Sequence, residues 1–167
     1  PPCPDRLIQC RLRPWLIAAR MRMRKGMMWM TISAVELHLL AESMGVQLQR
    51  HTGGRPGWYD HRRRVISTRR GQSISQYRSV LAHELGHAHY GDTPTGNGHY
   101  DQRQERRADE YAAQLLITPA DFETAAIWHH GHLPAIADEL EVTHHILKTW
   151  QTLHERTAAL PPVTARP

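Results

Sequence analysis

His83-Glu84-Leu85-Gly86-His87 lies inside a stretch, Ser79 to Tyr90, whose apolar residues Val80, Leu81, Leu85 and Ala88 recur at helical spacing and whose one helix-weakening residue is Gly86. On a helix, residues four apart stack on one face, so the imidazoles of His83 and His87 can point at a single metal ion. Glu84 is displaced by about 100° around the axis; it does not easily join them, but it can reach a water on the same ion and take its proton. That division of labour suits hydrolysis, for which a catalytic zinc wants three protein ligands and one open position. In a chain this rich in histidine and glutamate, chance alone would place the spacing only about 0.05 times.

Two ligands follow from spacing, and the third must be sought downstream. A compact variant of such a site uses a histidine ten residues after the first and a glycine three after the second; those places hold Thr93 and Tyr90, which excludes it. The next predicted helix, about Gln102 to Ile117, carries Glu105 and Asp109 at i, i+4 on one face. Glu105 is read as the third ligand, and Asp109 as the carboxylate that accepts a proton from a ligating imidazole and so fixes its tautomer. The alternative is that both are solvated, one of them paired with Arg106 or Arg107.

Around this centre the pattern gives an α+β domain. Ser33-Ala34-Val35-Glu36 is a capping box opening a helix of about three turns, with Val35, Leu39, Leu40 and Met44 as its apolar positions and Gly45 as its stop. Val46–Gln49, Gly57–Asp60 and Val65–Thr68 read as three short antiparallel strands. Residues 91–101 are rich in turn formers. Thr118-Pro119-Ala120-Asp121 starts a helix toward His130, and two shorter helices, Pro134–Glu141 and Thr143–His154, form a C-terminal cap.

A length of 167 residues suits one domain. We expect a disordered leader over 1–29 of doubtful origin, a fusion remnant, upstream read-through or misplaced start with an Arg-rich transit peptide as the alternative, then a catalytic domain over 30–156 and a flexible tail over 157–167. The net charge of +5 suggests nucleic acid, but residues 1–26 carry seven Lys/Arg and one Asp, leaving the rest of the chain at −1. Both cysteines, Cys3 and Cys10, fall in the leader, so the body has no disulfide framework. There is no apolar run long enough for a membrane span, and the leader's Trp15–Ala19 stretch is too short for a secretory signal. A cytoplasmic protein is expected.

Ala82-His83-Glu84-Leu85-Gly86-His87-Ala88, followed by the segment from Glu105 through Ala108-Asp109, Tyr111-Ala112-Ala113 and Leu115-Leu116 to Pro119, resembles the ImmA/IrrE family of metallopeptidases. The likeness runs from about Met30 to Leu153. Thr118 stands where that family commonly has its proline directly after the aliphatic residue, a departure that touches only the start of the next helix. The resemblance implies a zincin-like architecture, a divalent metal with Glu105 on the ligand position, and cleavage of a transcriptional repressor carried by a phage or mobile element, or control of a stress response. One Zn2+ per chain is expected, another divalent ion being an alternative.

Substrate peptides in such sites lie along an edge strand, and Val65, Ile66, Ser67 and Thr68 are the candidate edge. Arg62, Arg63, Arg64, Arg69 and Arg70 are read as solvated positions that discourage strand-to-strand aggregation rather than as a binding surface. Tyr90, His89, His99 and Tyr100 compete as donors to a transition-state oxyanion, with nothing in the sequence to choose among them. Ala137–Trp150 superficially resembles a helix-turn-helix, yet Lys148 is the only lysine or arginine in Leu133–His154, which argues against direct DNA binding and for a helical hairpin on the core. The expected partner is a protein substrate such as a helix-turn-helix repressor. The competing reading is a metal-containing transcriptional or stress regulator that acts by binding rather than cleavage.

Overall fold

The computed structural model of the chain describes residues 22–24, 27–29 and 32–158. Most of the expected leader, and residues 159–167 of the expected tail, lie outside them. The described part of the leader is two short strands, β1 (Arg22–Arg24) and β2 (Met27–Trp29), paired antiparallel.

Helix α1 (Ala34–Ser43) opens on the capping box read from the sequence: Glu36 N donates to Ser33 Oγ, and Ser33 N donates to Glu36 Oε2. Its buried face differs from the one expected. Leu37 and Ala41 point into the core and Leu40 and Met44 pack at its margin, whereas Val35 and Leu39 are exposed. Strands β3 (Gln47–His51), β4 (Gly57–Asp60) and β5 (Val65–Arg69) follow, then α2 (Ile74–Tyr90), α3 (Gly98–Leu116), α4 (Pro119–Trp128), α5 (Leu133–Glu139) and α6 (His144–Ala158). Among the described residues six helices and a small three-stranded sheet make the domain α+β, in keeping with a small zincin-like fold.

The sheet is mixed, which corrects the expectation of an antiparallel one. Its order is β3-β5-β4, with β3 and β5 parallel and β4 and β5 antiparallel. The hairpin from β4 places β5 between its two predecessors, so β5 is the central strand. Period-two alternation reports which face a residue takes, not which strand lies beside it, so this order is not written in the alternation. Burial does register it: Ile66, Ser67 and Thr68 are all buried, while β3 and β4 are part-exposed along their length.

Helix α2 begins five residues before the expected start, at a second capping box formed by Ser73 and Gln76. It touches β4, β5 and α1, and along another face it packs on α3; α6 in turn packs on α3, and α4 and α5 complete the cap. One apolar cluster joins them, running from Leu37 and Ile66 through Leu81, Leu85 and Leu116 to Ile136, Leu147 and Trp150. The α5–α6 hairpin lies on this core, its Trp150 Nε1 donating to Ile117 O at 3.0 Å.

Arg78 of α2 ties the two ends of the domain together. Only 2% exposed, its guanidinium donates to the carbonyls of Leu140 and Glu141 at 3.0 Å each and of Ile32 at 2.7 Å, and it pairs with Glu141 Oε2 at 3.1 Å. Arg78→Met leaves those acceptors in place without their donor, and stability should fall by about 3–5 kcal/mol in urea unfolding. A loss below about 1 kcal/mol would mean that the bonds are replaced by water at no cost.

Candidate metal centre

Helix α2 presents His83 and His87 one turn apart, and α3 brings Glu105 against them. The facing atoms of the three side chains are close: His83 Nε2 to His87 Nε2 is 3.1 Å, His83 Nε2 to Glu105 Oε2 is 3.2 Å, and His87 Nε2 to Glu105 Oε1 is 3.6 Å. Two ligand atoms about 2.0–2.1 Å from a tetrahedral zinc lie about 3.3–3.4 Å apart, so the spacing of these donors fits such an ion. Among the described residues this is the single cluster of three such side chains able to hold a metal.

The imidazoles are oriented from behind. His83 Nδ1 donates to Asp109 Oδ1 at 2.8 Å, and His87 Nδ1 donates to Asp92 Oδ2 at 3.1 Å, which directs both Nε2 atoms toward Glu105. Neither Asp109 nor Glu105 pairs with Arg106 or Arg107. Arg107 instead pairs with Asp92 while its guanidinium lies 4.0 Å from the centre of the Tyr90 ring. Helical spacing does not single out Asp92. It is buried just past the end of α2, where Gly91 takes a left-handed conformation (φ 69°) that turns the chain back on the helix. The signal that could have found it is an acid two residues beyond the last helical position, next to that glycine.

Asp109 has a second partner, also unforeseen: His145 of α6 donates from Nε2 to Asp109 Oδ2 at 2.8 Å. Burial opposes the Asp109 charge, but hydrogen bonds from His83 and His145 outweigh it and hold the carboxyl below its ordinary range. At His83 burial disfavours the charged ring, and the bond to Asp109 together with the charges of Glu84, Asp109 and Glu105 overcomes that and raises its pKa. Asp92→Asn keeps the shape of the side chain but removes its charge. Metal affinity should drop by about tenfold to a hundredfold in competition with a chromophoric chelator, and an unchanged affinity would show that Asp92 serves the fold alone.

Glu84 lies beside the triad, 7% exposed. Burial pushes its carboxyl up to about 7 against the opposing influence of His83 and Arg55, so a proton can be gained or lost there near neutrality. Two glycines make this packing possible. A Cβ on Gly57 would come within 2.5 Å of Val80 Cγ1 and 3.0 Å of Glu84 Oε1, and one on Gly86 would come within 2.9 Å of the Ala108 Cα and 3.1 Å of its carbonyl oxygen. Gly86 thereby lets α3 approach closely enough for Glu105 to reach the histidines.

His83, Glu84, His87 and Glu105 open into a cavity of about 620 Å³, walled by β4 and the loop before it on one side and by α3 and His145 on another. Tyr90, His89, His99 and Tyr100 do not line it; His89 stacks on Tyr111 and Tyr90 lies under Arg107. The strand candidates need correction too. Gln47 N donates to Arg64 O and Arg70 N to His51 O, while Arg69 N donates to Pro56 O. Continuing those patterns, Ile66 and Thr68 are engaged with β3 and Val65 and Ser67 with β4, so Val65–Thr68 has no open edge to offer a peptide. The edge on the cavity is β4. Because Pro56 and Arg69 form a hydrogen-bonded pair, alternation turns the main-chain groups of Trp58 and Asp60 toward β5 and those of Gly57 and Tyr59 outward.

A small α+β domain whose central helix carries this histidine pair and a buried glutamate, with a carboxylate supplied by the next helix, has the make-up of a metallopeptidase. Comparison with known families bears on the same point: the IrrE N-terminal-like domain, a peptidase family, matches residues 36–149. The chain belongs to that family and is a metallopeptidase of the ImmA/IrrE kind. No curated protein matches it significantly. Among the described residues no helix is long and apolar enough to cross a membrane.

Proposed function

We propose that the protein is a zinc-dependent endopeptidase that cuts a protein substrate laid in extended form along β4, and that this substrate is a helix-turn-helix repressor of a phage or mobile element in the cytoplasm. The observation that carries the peptidase part is the convergence of His83, His87 and Glu105 in one cavity with buried Glu84 and the open edge of β4. The repressor rests on the resemblance of the motif segments to ImmA/IrrE proteins.

In this reading His83, His87 and Glu105 hold the ion, which when bound supplies Lewis acidity and lowers the pKa of water. Outward main-chain groups of Gly57 and Tyr59 pair with the peptide and set its register. Glu84 takes a proton from the attacking water and delivers it to the leaving amine nitrogen as the C–N bond breaks. Asp109 and Asp92 keep the ligating nitrogens aimed at the ion.

The test is cleavage of a degenerate peptide library by the zinc-loaded chain, read by mass spectrometry. Products should form, disappear on chelation and return with added zinc. Binding of a candidate repressor without any cut, in the loaded protein, would favour a regulator that acts by contact.

A further inference from the structure

Three consecutive carbonyls in the loop before β4 are tied down. Gly54 O accepts from Arg69 Nη1 at 3.3 Å, Arg55 O from His51 Nε2 at 3.0 Å, and Pro56 O from Arg69 N at 2.9 Å and Gln72 Nε2 at 3.3 Å. His51 is itself fixed. Since Arg55 O can only accept, Nε2 carries the ring hydrogen and Nδ1 accepts from the hydroxyl of buried Ser67 at 2.8 Å. The turn also runs through Gly53 and Gly54 at φ 71° and 68°, a left-handed path that glycine takes without strain.

All this anchoring holds one group in place that has no ion-pair partner among the described residues, the guanidinium of Arg55. It lines the cavity, and no other described lysine or arginine does. Of the five carboxylates lining the cavity, four are engaged, Asp92 with His87 and Arg107, Asp101 with Thr95, Glu105 with the histidine pair and Asp109 with His83 and His145, and the fifth, Glu84, feels the Arg55 charge but forms no ion pair with it. An exposed loop pinned at three carbonyls around an unpaired cation differs from a solvated arginine on a free turn, because the side chain leaves from a fixed point and loses less freedom on meeting a ligand.

Position supplies the rest. Gly57 abuts Glu84, which sets the bond to be cut beside Gly57, and Arg55 lies two residues further along the same wall. We propose that Arg55 is a specificity residue that binds a carboxylate of the substrate next to the scissile bond, on the side of the peptide that runs past Gly57 toward Pro56. This rests on the peptidase reading for the place of the cut, but not for the binding itself. The carboxylate belongs to an Asp or Glu side chain or to a free C-terminus, and bidentate pairing with a guanidinium suits either.

The experiment uses the full chain loaded with zinc and two degenerate nonapeptide pools, one containing Asp and Glu and the other Asn and Gln in their place, each made with free and amidated C-termini. Binding is followed by fluorescence anisotropy on the Glu84→Gln protein and cleavage on the protein with Glu84 intact. The acidic pool should bind about fivefold more tightly, the preference should survive Arg55→Lys in part, and Arg55→Glu should abolish or reverse it. Sequenced products should show the acid within two residues of the cut. If the free terminus is read instead, the two pools bind alike and amidation weakens both in an Arg55-dependent way, whereas amidation leaves the acidic preference unchanged if a side chain is read. Equal binding of all four preparations, no binding of any, or a preference that persists in Arg55→Glu overturns the proposal. An Arg55-dependent preference in binding with no Glu84-dependent cleavage upholds it and sinks the peptidase reading instead.

Discussion

Glu84→Gln should abolish cleavage, lowering the rate by about a thousandfold or more, while metal content stays at the level of the unaltered chain. Gln has nearly the same shape, so it fits the space that Gly57 and Val80 leave beside the helix. What it lacks is a basic oxygen. Glu84 stands outside the His83–His87–Glu105 cluster, so the substitution leaves every donor atom of that cluster in place. Because the carboxylate is buried and its pKa is already pushed up to about 7, the neutral amide also removes an unfavourable buried charge, and the variant should be no less stable than its parent. The measurement is a rate on the peptide library alongside zinc content by atomic spectroscopy. Residual cleavage near the parental rate would assign the proton transfer to another group.

The second large effect is expected at Glu105. Its side chain is 62% exposed, so Glu105→Ala should change the stability of the metal-free chain by no more than about 0.5 kcal/mol. Metal binding should suffer far more. Loss of a donor ought to exceed the tenfold to hundredfold cost of altering an orienting partner, and we expect affinity to fall at least about a hundredfold. Linkage makes this visible without any substrate. At a free zinc concentration a thousand times the parental Kd, the ion stabilises the parent by about 4 kcal/mol, and a hundredfold weaker site leaves about 1.4 kcal/mol. If Glu105→Ala keeps the full zinc-dependent rise in thermal midpoint, Glu105 is not a ligand and the exposed carboxylate is a neighbour only.

What could be read from the sequence follows a division between local and distant causes. The meeting of His83 with His87 needs only helical periodicity, and the start of α1 needs only the Ser33–Glu36 exchange of bonds, so both were legible. The arrival of Glu105 and Asp109 depended on two helices packing, and spacing could at most put them on one face. Asp92 escaped because its position is made by the turn at Gly91 and not by any periodicity. His145 escaped because it reaches Asp109 from 36 residues away, through the docking of α6 on α3. Val65–Thr68 is not an edge, because strand order is decided by how the β4–β5 hairpin folds back beside β3, which alternation along a single strand does not record. Val35 and Leu39 looked like core for a similar reason: apolar spacing on a three-turn helix fits two faces nearly as well, and packing against α2 and β3 selected the one with Leu37 and Ala41.

The contact at Gly86 restricts how this chain can diverge. A methyl group there would meet the Cα and carbonyl oxygen of Ala108, atoms that every amino acid at position 108 possesses. Shrinking residue 108 to glycine would therefore not make room, and no exchange of volume between the two positions is open to mutation. A larger residue at 86 can be accommodated only by separating the two helices, which would carry Glu105 away from His83 and His87. Position 86 is thus a one-way constraint: a change here has no suppressor short of moving a helix.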